Sequence, residues 1–261
     1  MIEQRLRRWR HLLVATPDPG ALPTKEDMIT ALIFDFDGLI LETEVPEFLA
    51  WQELYERYGQ RFELEAWLPY IGIGPTSNPF DPLRELERRL GRSFSLEERE
   101  SLRLTRRERC RQLLEGQPVA EGVLDYLETA QRLGLRLGVA SSSSRRWVVG
   151  HLERLGLRSR FQCICCGDDV QVTKPDPAVY LAVLSCLGVR AEEAIALEDS
   201  PNGVRAARRA GIFCVAVPSV LTRHAAFSDE AAPDLQLETL SALPLEELLQ
   251  RVAALRANGS R

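Results

Sequence analysis

At 261 residues, 45% hydrophobic and 27% charged, the chain has the make-up of a globular protein long enough for one large domain or a medium domain carrying a smaller one. No stretch approaches the roughly 20 apolar residues of a membrane helix, and a net charge of -5 argues against a nucleic-acid or polybasic membrane partner. Six cysteines are too few for this length to make a disulfide scaffold and suit a reducing, cytoplasmic compartment.

Residues 1–27 hold an arginine-rich amphipathic segment and then a Pro/Gly linker. They lack the apolar centre of a secretory signal and read as an N-terminal extension. The first strand follows as "ITALIFDF", residues 29–36. Further short apolar runs come at 135–141, 161–166, 194–198 and 212–217. Most are continuous rather than alternating, as in strands buried on both faces of a parallel sheet. Between the later runs lie segments of helical period, such as "GVLDYLETAQRLG", each closed by Gly. The series is βαβ, which predicts an α/β fold with a doubly wound parallel sheet and a Rossmann-like core.

One interval breaks the rhythm. Residues 43–116 carry no strand signal, but helical stretches at 46–59, 81–90 and 95–115 with the loop "IGIGPTSNPFDP" between them. The predicted organisation is therefore an extension at 1–27, a core from 28–42 and 117–261, and a helical cap at 43–116. An insertion after the first strand lies above that strand's carboxyl end, where open α/β sheets bind ligands. The cluster "CICC" at 163–166 reads as buried strand, with Cys163, Cys165 and Cys166 acting as small hydrophobes rather than metal ligands.

Polar residues mark the strand ends. Asp35 and Asp37 close the first strand and, two apart, share a face. Ser141 and Ser142 follow the second, Lys174 the third in "TKPDP", and Glu198 and Asp199 close the fourth. All fall at the carboxyl edge of a parallel sheet, where loops converge on a ligand. Carboxylates gathered there make a hard oxygen site suited to Mg2+, which also explains why two aspartates tolerate each other. A lysine, hydroxyls and helix N-termini opening at Ser142–Ser144 and Ser200 would hold a phosphoryl group. One carboxylate could then act as nucleophile and the other as acid/base. Of 33 basic residues only Lys25 and Lys174 are lysine, so a lysine at this edge suggests a need for a compact point charge.

"DFDG", "ASSSS", "KPDP" and "LEDSPNG", in that order, resemble the four motifs of the haloacid dehalogenase-like hydrolases, in the helical-cap subgroup that holds beta-phosphoglucomutase and many small phosphatases. The resemblance implies Asp35 as nucleophile, Asp37 as general acid/base, Ser141, Ser142 and Lys174 as phosphate-binding residues, and Mg2+ held by Asp35, the carbonyl of Asp37 and Asp199, with Glu198 as an inner or outer neighbour. The family's dehalogenases lack an aspartate at the place of Asp37, and its phosphonate-cleaving members use a cap lysine that this cap lacks. Phosphomutases carry a cap histidine where this chain has Glu47 and a cap arginine that the loop "GIGPTS" does not offer, so a mutase is disfavoured. Trp51, one helical turn past Glu47, either faces the site or staples the cap helices; Glu47 and Trp51 are the candidate substrate contacts from the cap.

The expected protein is a cytoplasmic Mg2+-dependent phosphatase acting on a small phosphomonoester, a sugar phosphate among the candidates, through an aspartyl-phosphate. A sugar phosphomutase and a non-enzymatic phospho-accepting module are the alternatives. The expected partner is a small phosphorylated substrate, with neither nucleic acid nor membrane, and the oligomeric state stays open.

Overall fold

Ala31–Phe34 form β1 at the centre of a six-stranded sheet in the computed structural model, which describes residues 28–257. Its partners are β2 (Arg136–Ala140), β3 (Cys163–Cys165), β4 (Ala194–Glu198), β5 (Phe213–Ala216) and β6 (Leu235–Gln236), in the order β3-β2-β1-β4-β5-β6 and parallel throughout. The continuous apolar runs are continuous because both faces are covered. Leu32 and Phe34 point into one core, and Ala31 and Ile33 into another, all with no exposed surface. Burial of Leu32, Ile33 and Phe34 contributes about 1.5–3 kcal/mol each. β6 was not expected: two residues at a half-exposed edge carry no periodicity to detect.

Helices α5 (Val123–Leu133), α6 (Arg145–Arg154) and α9 (Leu245–Ala257) cover the Leu32/Phe34 face. Helices α7 (Ala178–Leu187) and α8 (Pro201–Arg209) cover the other. The chain runs outward from β1 through β2 and β3, then returns to β1's other side as β4. Asp35 and Glu198 therefore end neighbouring strands at the switch point, the crevice where such sheets place ligands.

Four α-helices lie between β1 and α5: α1 (Glu44–Glu56), the short α2 (Leu64–Trp67), α3 (Pro82–Leu90) and α4 (Leu96–Leu113). Local signals set their ends. Asp81 caps α3 by accepting from Leu83 N at 2.9 Å, with Pro82 in the first turn and Gly91 at the stop. A reciprocal Ser95/Glu98 capping box opens α4. Trp51, Tyr55, Phe62, Trp67, Leu83 and Leu86 give this insertion a core of its own, which Leu221 joins from the sheet side.

The cysteine expectation needs a correction. Cys110, Cys165, Cys166 and Cys214 are buried free thiols, but Cys163 is joined in a disulfide to Cys186 of α7. Cys163 faces the layer α7 covers, and the partner lies 23 residues away. No local spacing reveals such a pair. No helix among the described residues is long and apolar enough to cross a membrane. The extension predicted at 1–27 lies outside the described residues.

Candidate active site

The parallel pairing of β1 with β4 sets the first two site residues side by side. Phe34 is in register with Leu197, Asp35 N donates to Leu197 O at 2.9 Å, and the next positions along the two strands are Asp35 and Glu198. The loop after β3 then delivers Lys174, whose bond to Pro175 is cis. Its ammonium donates to Asp35 and, at 2.6 Å, to Glu198 Oε1, and only 1% of Lys174 is exposed. The Tyr180 hydroxyl, from α7, donates to the same Glu198 oxygen at 2.6 Å. Burial alone would lower the lysine, but the two carboxylates on it hold the ammonium above its ordinary range.

One lysine does not balance this cluster. Asp35, Glu198 and Asp199 each place a carboxylate oxygen within 4.8 Å of the others, and all three are buried. Burial pushes Asp35 up to about 8 despite Lys174, with Glu198 and Asp37 adding to the rise. Burial together with Asp35 and Glu198 holds Asp199 well above the usual carboxylate range. Three oxygen donors that repel one another in a dry pocket fit a hard divalent cation such as Mg2+. The backbone is shaped to the same place. Gly38 has φ 82°, and a Cβ there would stand 2.2 Å from Asp199 Oδ2. Only glycine lets the "DFDG" turn approach that carboxylate.

Asp37, half-buried, is held by donors from three directions. Oδ1 accepts from Thr43 Oγ1 and from Trp147 Nε1, each at 2.8 Å, and Oδ2 from Ser143 Oγ at 2.6 Å. Ser141 Oγ is 3.4 Å from Oδ2 and accepts from Ser143 N. The Ser142 hydroxyl is buried without a hydrogen-bond partner among the described residues. Ser144 and Ser200 cap α6 and α8, accepting from Trp147 N and Gly203 N, so both helices open their N-termini toward this edge as expected.

The insertion closes over the loops of the sheet. Gly74 N donates to Thr173 Oγ1 at 3.0 Å and Thr173 N to Ser77 Oγ at 3.1 Å. On the other side, Asn202 Nδ2 donates to the carbonyls of Pro69 and Ile71 at 2.9 and 2.8 Å. Glu47 accepts from Arg106 Nη1 at 3.1 Å, and the Arg106 guanidinium covers the Trp51 ring at 5.1 Å. The expectation of no arginine here came from the loop alone; α4 supplies one. Trp51 is 6% exposed and packed near Phe62, so of its two readings the structure favours the staple. Glu44, at the start of α1, is 8% exposed; burial, with Asp199, Glu47, Asp37 and Glu42 around it, drives its carboxyl well above the ordinary range.

The structure thus brings Asp35, Asp37, Ser141, Lys174, Glu198 and Asp199 together, sets Ser142 beside them, and leaves Trp51 in the insertion's core. Sequence reasoning missed Thr43, Glu44, Arg106, Ser143, Trp147, Thr173 and Tyr180. Ser143 lay inside a tract already singled out. Trp147 and Tyr180 read as the apolar stripe of a helix, and nothing in their spacing separates an indole or phenol that packs from one that also donates.

The sequence profile of the haloacid dehalogenase-like hydrolases matches residues 32–217. YhcW of Bacillus subtilis, which carries a provisional phosphatase name, is 43% identical over 86% of this chain and 98% of its own. The Phosphorylated carbohydrates phosphatase of Thermotoga maritima is 33% identical over 70% of this chain and 82% of its own. Among solved structures, CbbY from Rhodobacter sphaeroides in complex with phosphate is 31% identical and superposes with a TM-score of 0.66, covering 82% of this chain and 96% of that one. Profile, relatives and fold agree, and the chain belongs to the haloacid dehalogenase-like hydrolases.

Proposed function

We propose that this protein is a Mg2+-dependent phosphatase that hydrolyses a small phosphomonoester through a phosphorylated Asp35. Asp35 Oδ attacks phosphorus and the ester P–O bond breaks. Asp37 protonates the departing alkoxide, then takes a proton from the water that cleaves the acyl phosphate and releases inorganic phosphate. Ser141, Ser142 and Lys174, with the amides opening α6 and α8, bind the phosphoryl oxygens. Asp35, the carbonyl of Asp37 and Asp199, with Glu198 beside them, would hold Mg2+, which supplies charge neutralisation when bound. The insertion acts as a cap that excludes water from the acyl phosphate while the leaving group departs.

The observation that carries this reading is the buried set of Asp35, Glu198, Asp199 and Lys174 at the switch point, with Asp37 beside it. Sugar phosphates head the candidate substrates, given the name of the Thermotoga maritima relative. The same reading puts the protein in the cytoplasm, a reducing setting against which the Cys163–Cys186 bond stands out. The test is hydrolysis of 4-nitrophenyl phosphate with Mg2+. Turnover should vanish in Asp35→Asn and in excess chelator; turnover that persists in either refutes the reading. A sugar-phosphate panel read by phosphate release then separates a phosphatase from a mutase, which isomerises without releasing phosphate.

A further inference from the structure

Asp37 is the carboxylate of the site that is held by an indole N–H. Trp147 Nε1 donates to Oδ1 at 2.8 Å, and the indole is itself immobilised. His151, one turn along α6, meets its ring edge-on at 4.4 Å, and the His151 ring stacks at 6.2 Å on Phe36, the residue before Asp37. The contacts form a closed circuit from Asp37 through Trp147, His151 and Phe36 back to Asp37. Hydroxyls such as those of Thr43 and Ser143 rotate and can donate or accept; an indole N–H only donates, along one direction fixed by the ring.

We propose that Trp147 is the positioning residue for Asp37, fixing which carboxylate oxygen meets the leaving group. A carboxylate oxygen has two lone-pair directions. Those of Oδ1 are filled by Trp147 and Thr43, which leaves Oδ2 to carry the proton delivered to the departing alkoxide. Ser143 Oγ at 2.6 Å and Ser141 Oγ at 3.4 Å, the rotatable hydroxyls on Oδ2, are the donors that give way. The inference rests on the phosphatase reading above and adds a residue that the four sequence motifs do not contain.

The experiment compares kcat/KM for wild type and Trp147→Phe across aryl phosphates of graded leaving-group acidity, with Mg2+. Phenylalanine keeps an aromatic ring on the His151 side and removes the donor together with the second ring of the indole. A misdirected acid matters most where the leaving group needs protonation. The expected result is a steeper dependence on leaving-group acidity, with phenyl phosphate losing about tenfold or more beyond any loss with 4-nitrophenyl phosphate. Equal losses across the series would overturn the positioning role while leaving the phosphatase reading intact. Absence of Asp35-dependent turnover in the wild type would overturn both. Should Trp147→Phe not fold, Thr43→Ala removes the other Oδ1 donor; it should steepen the series in the same sense, and a flat response there overturns the assignment of Oδ2.

Discussion

The Lys174 ammonium lies 2.6 Å from Glu198 Oε1, and the same nitrogen donates to Asp35. Replacing Lys174 with Met leaves two buried carboxylates facing each other without their cation. Breaking a buried pair in this way costs about 3–5 kcal/mol, and losing the charge lowers turnover by about 100- to 1000-fold. Lys174→Arg should recover little, because a planar fork does not fit a slot where lysine is 1% exposed. Thermal unfolding and hydrolysis of 4-nitrophenyl phosphate measure the two effects, and wild-type turnover in Lys174→Arg would show that a point charge is not required.

Metal removal should have a pH signature. Asp35 sits at about 8 in the folded chain against an ordinary 3.8. A carboxyl raised by folding contributes stability that is fully present below its unfolded pKa and is lost as pH rises through its folded one. Chelator-treated protein should therefore melt lower at pH 8.5 than at pH 5.5. Mg2+ at 100 times its Kd adds about 2.7 kcal/mol, or on the order of 5–10 °C, and the gain should be larger at the higher pH. Calorimetry with and without MgCl2 at both pH values checks this.

Glu44 shows the same sign without standing among the proposed metal residues. Its carboxyl is held well above the ordinary range by burial and by Asp199, Glu47, Asp37 and Glu42. Neutralising it with Glu44→Gln should raise the melting temperature at pH 8.5 by about 2–4 °C, the equivalent of roughly 1 kcal/mol, and leave it unchanged at pH 5. A variant less stable than wild type at pH 8.5 would mean that the ionised form is favoured.

The Glu47–Arg106 pair should separate substrates by size. Both side chains lie on the insertion, 34% and 16% exposed. Glu47→Gln and Arg106→Met should raise KM for the best sugar phosphate found by screening by about tenfold, while 4-nitrophenyl phosphate changes less. Equal changes for both would place the pair outside specificity.

Gly38→Ala is expected to harm metal binding more than folding. Its Cβ would displace Asp199, and φ 82° adds strain of about 1–3 kcal/mol. Gly134→Ala is the control: φ is 71°, but nothing lies within 4 Å of the added carbon. Titration with Mg2+ followed by calorimetry should show weakened affinity for the first variant only.

The sheet and its strand-end residues were legible because one physical constraint writes both. A strand buried on two faces must be apolar, so a carboxylate at its end stands out, as Asp35 does after Phe34 and Glu198 after Leu197. Residues whose meaning depends on contact across the fold were not legible. Cys163 and Cys186 meet only because α7 lies over β3. Arg106 is one arginine among many on a charged helix until α4 is laid beside α1. Glu44 reads as an ordinary first-turn acid of a helix until its burial against Asp199 and Asp37 is seen. Their absence from the sequence reading follows from its period-based logic, which registers which face a residue occupies but not what stands opposite.

Thr173 and Lys174 share a peptide unit. The first is bonded to the insertion through both its amide and its hydroxyl, and the second bridges Asp35 and Glu198. A hinge movement large enough to admit a substrate pulls on one end of that unit, and the rigid plane between the two α-carbons passes the displacement on within a single residue. In the proposed phosphatase, opening the insertion and slackening the grip on Asp35 would then be one mechanical event, timed together by a lever one peptide long.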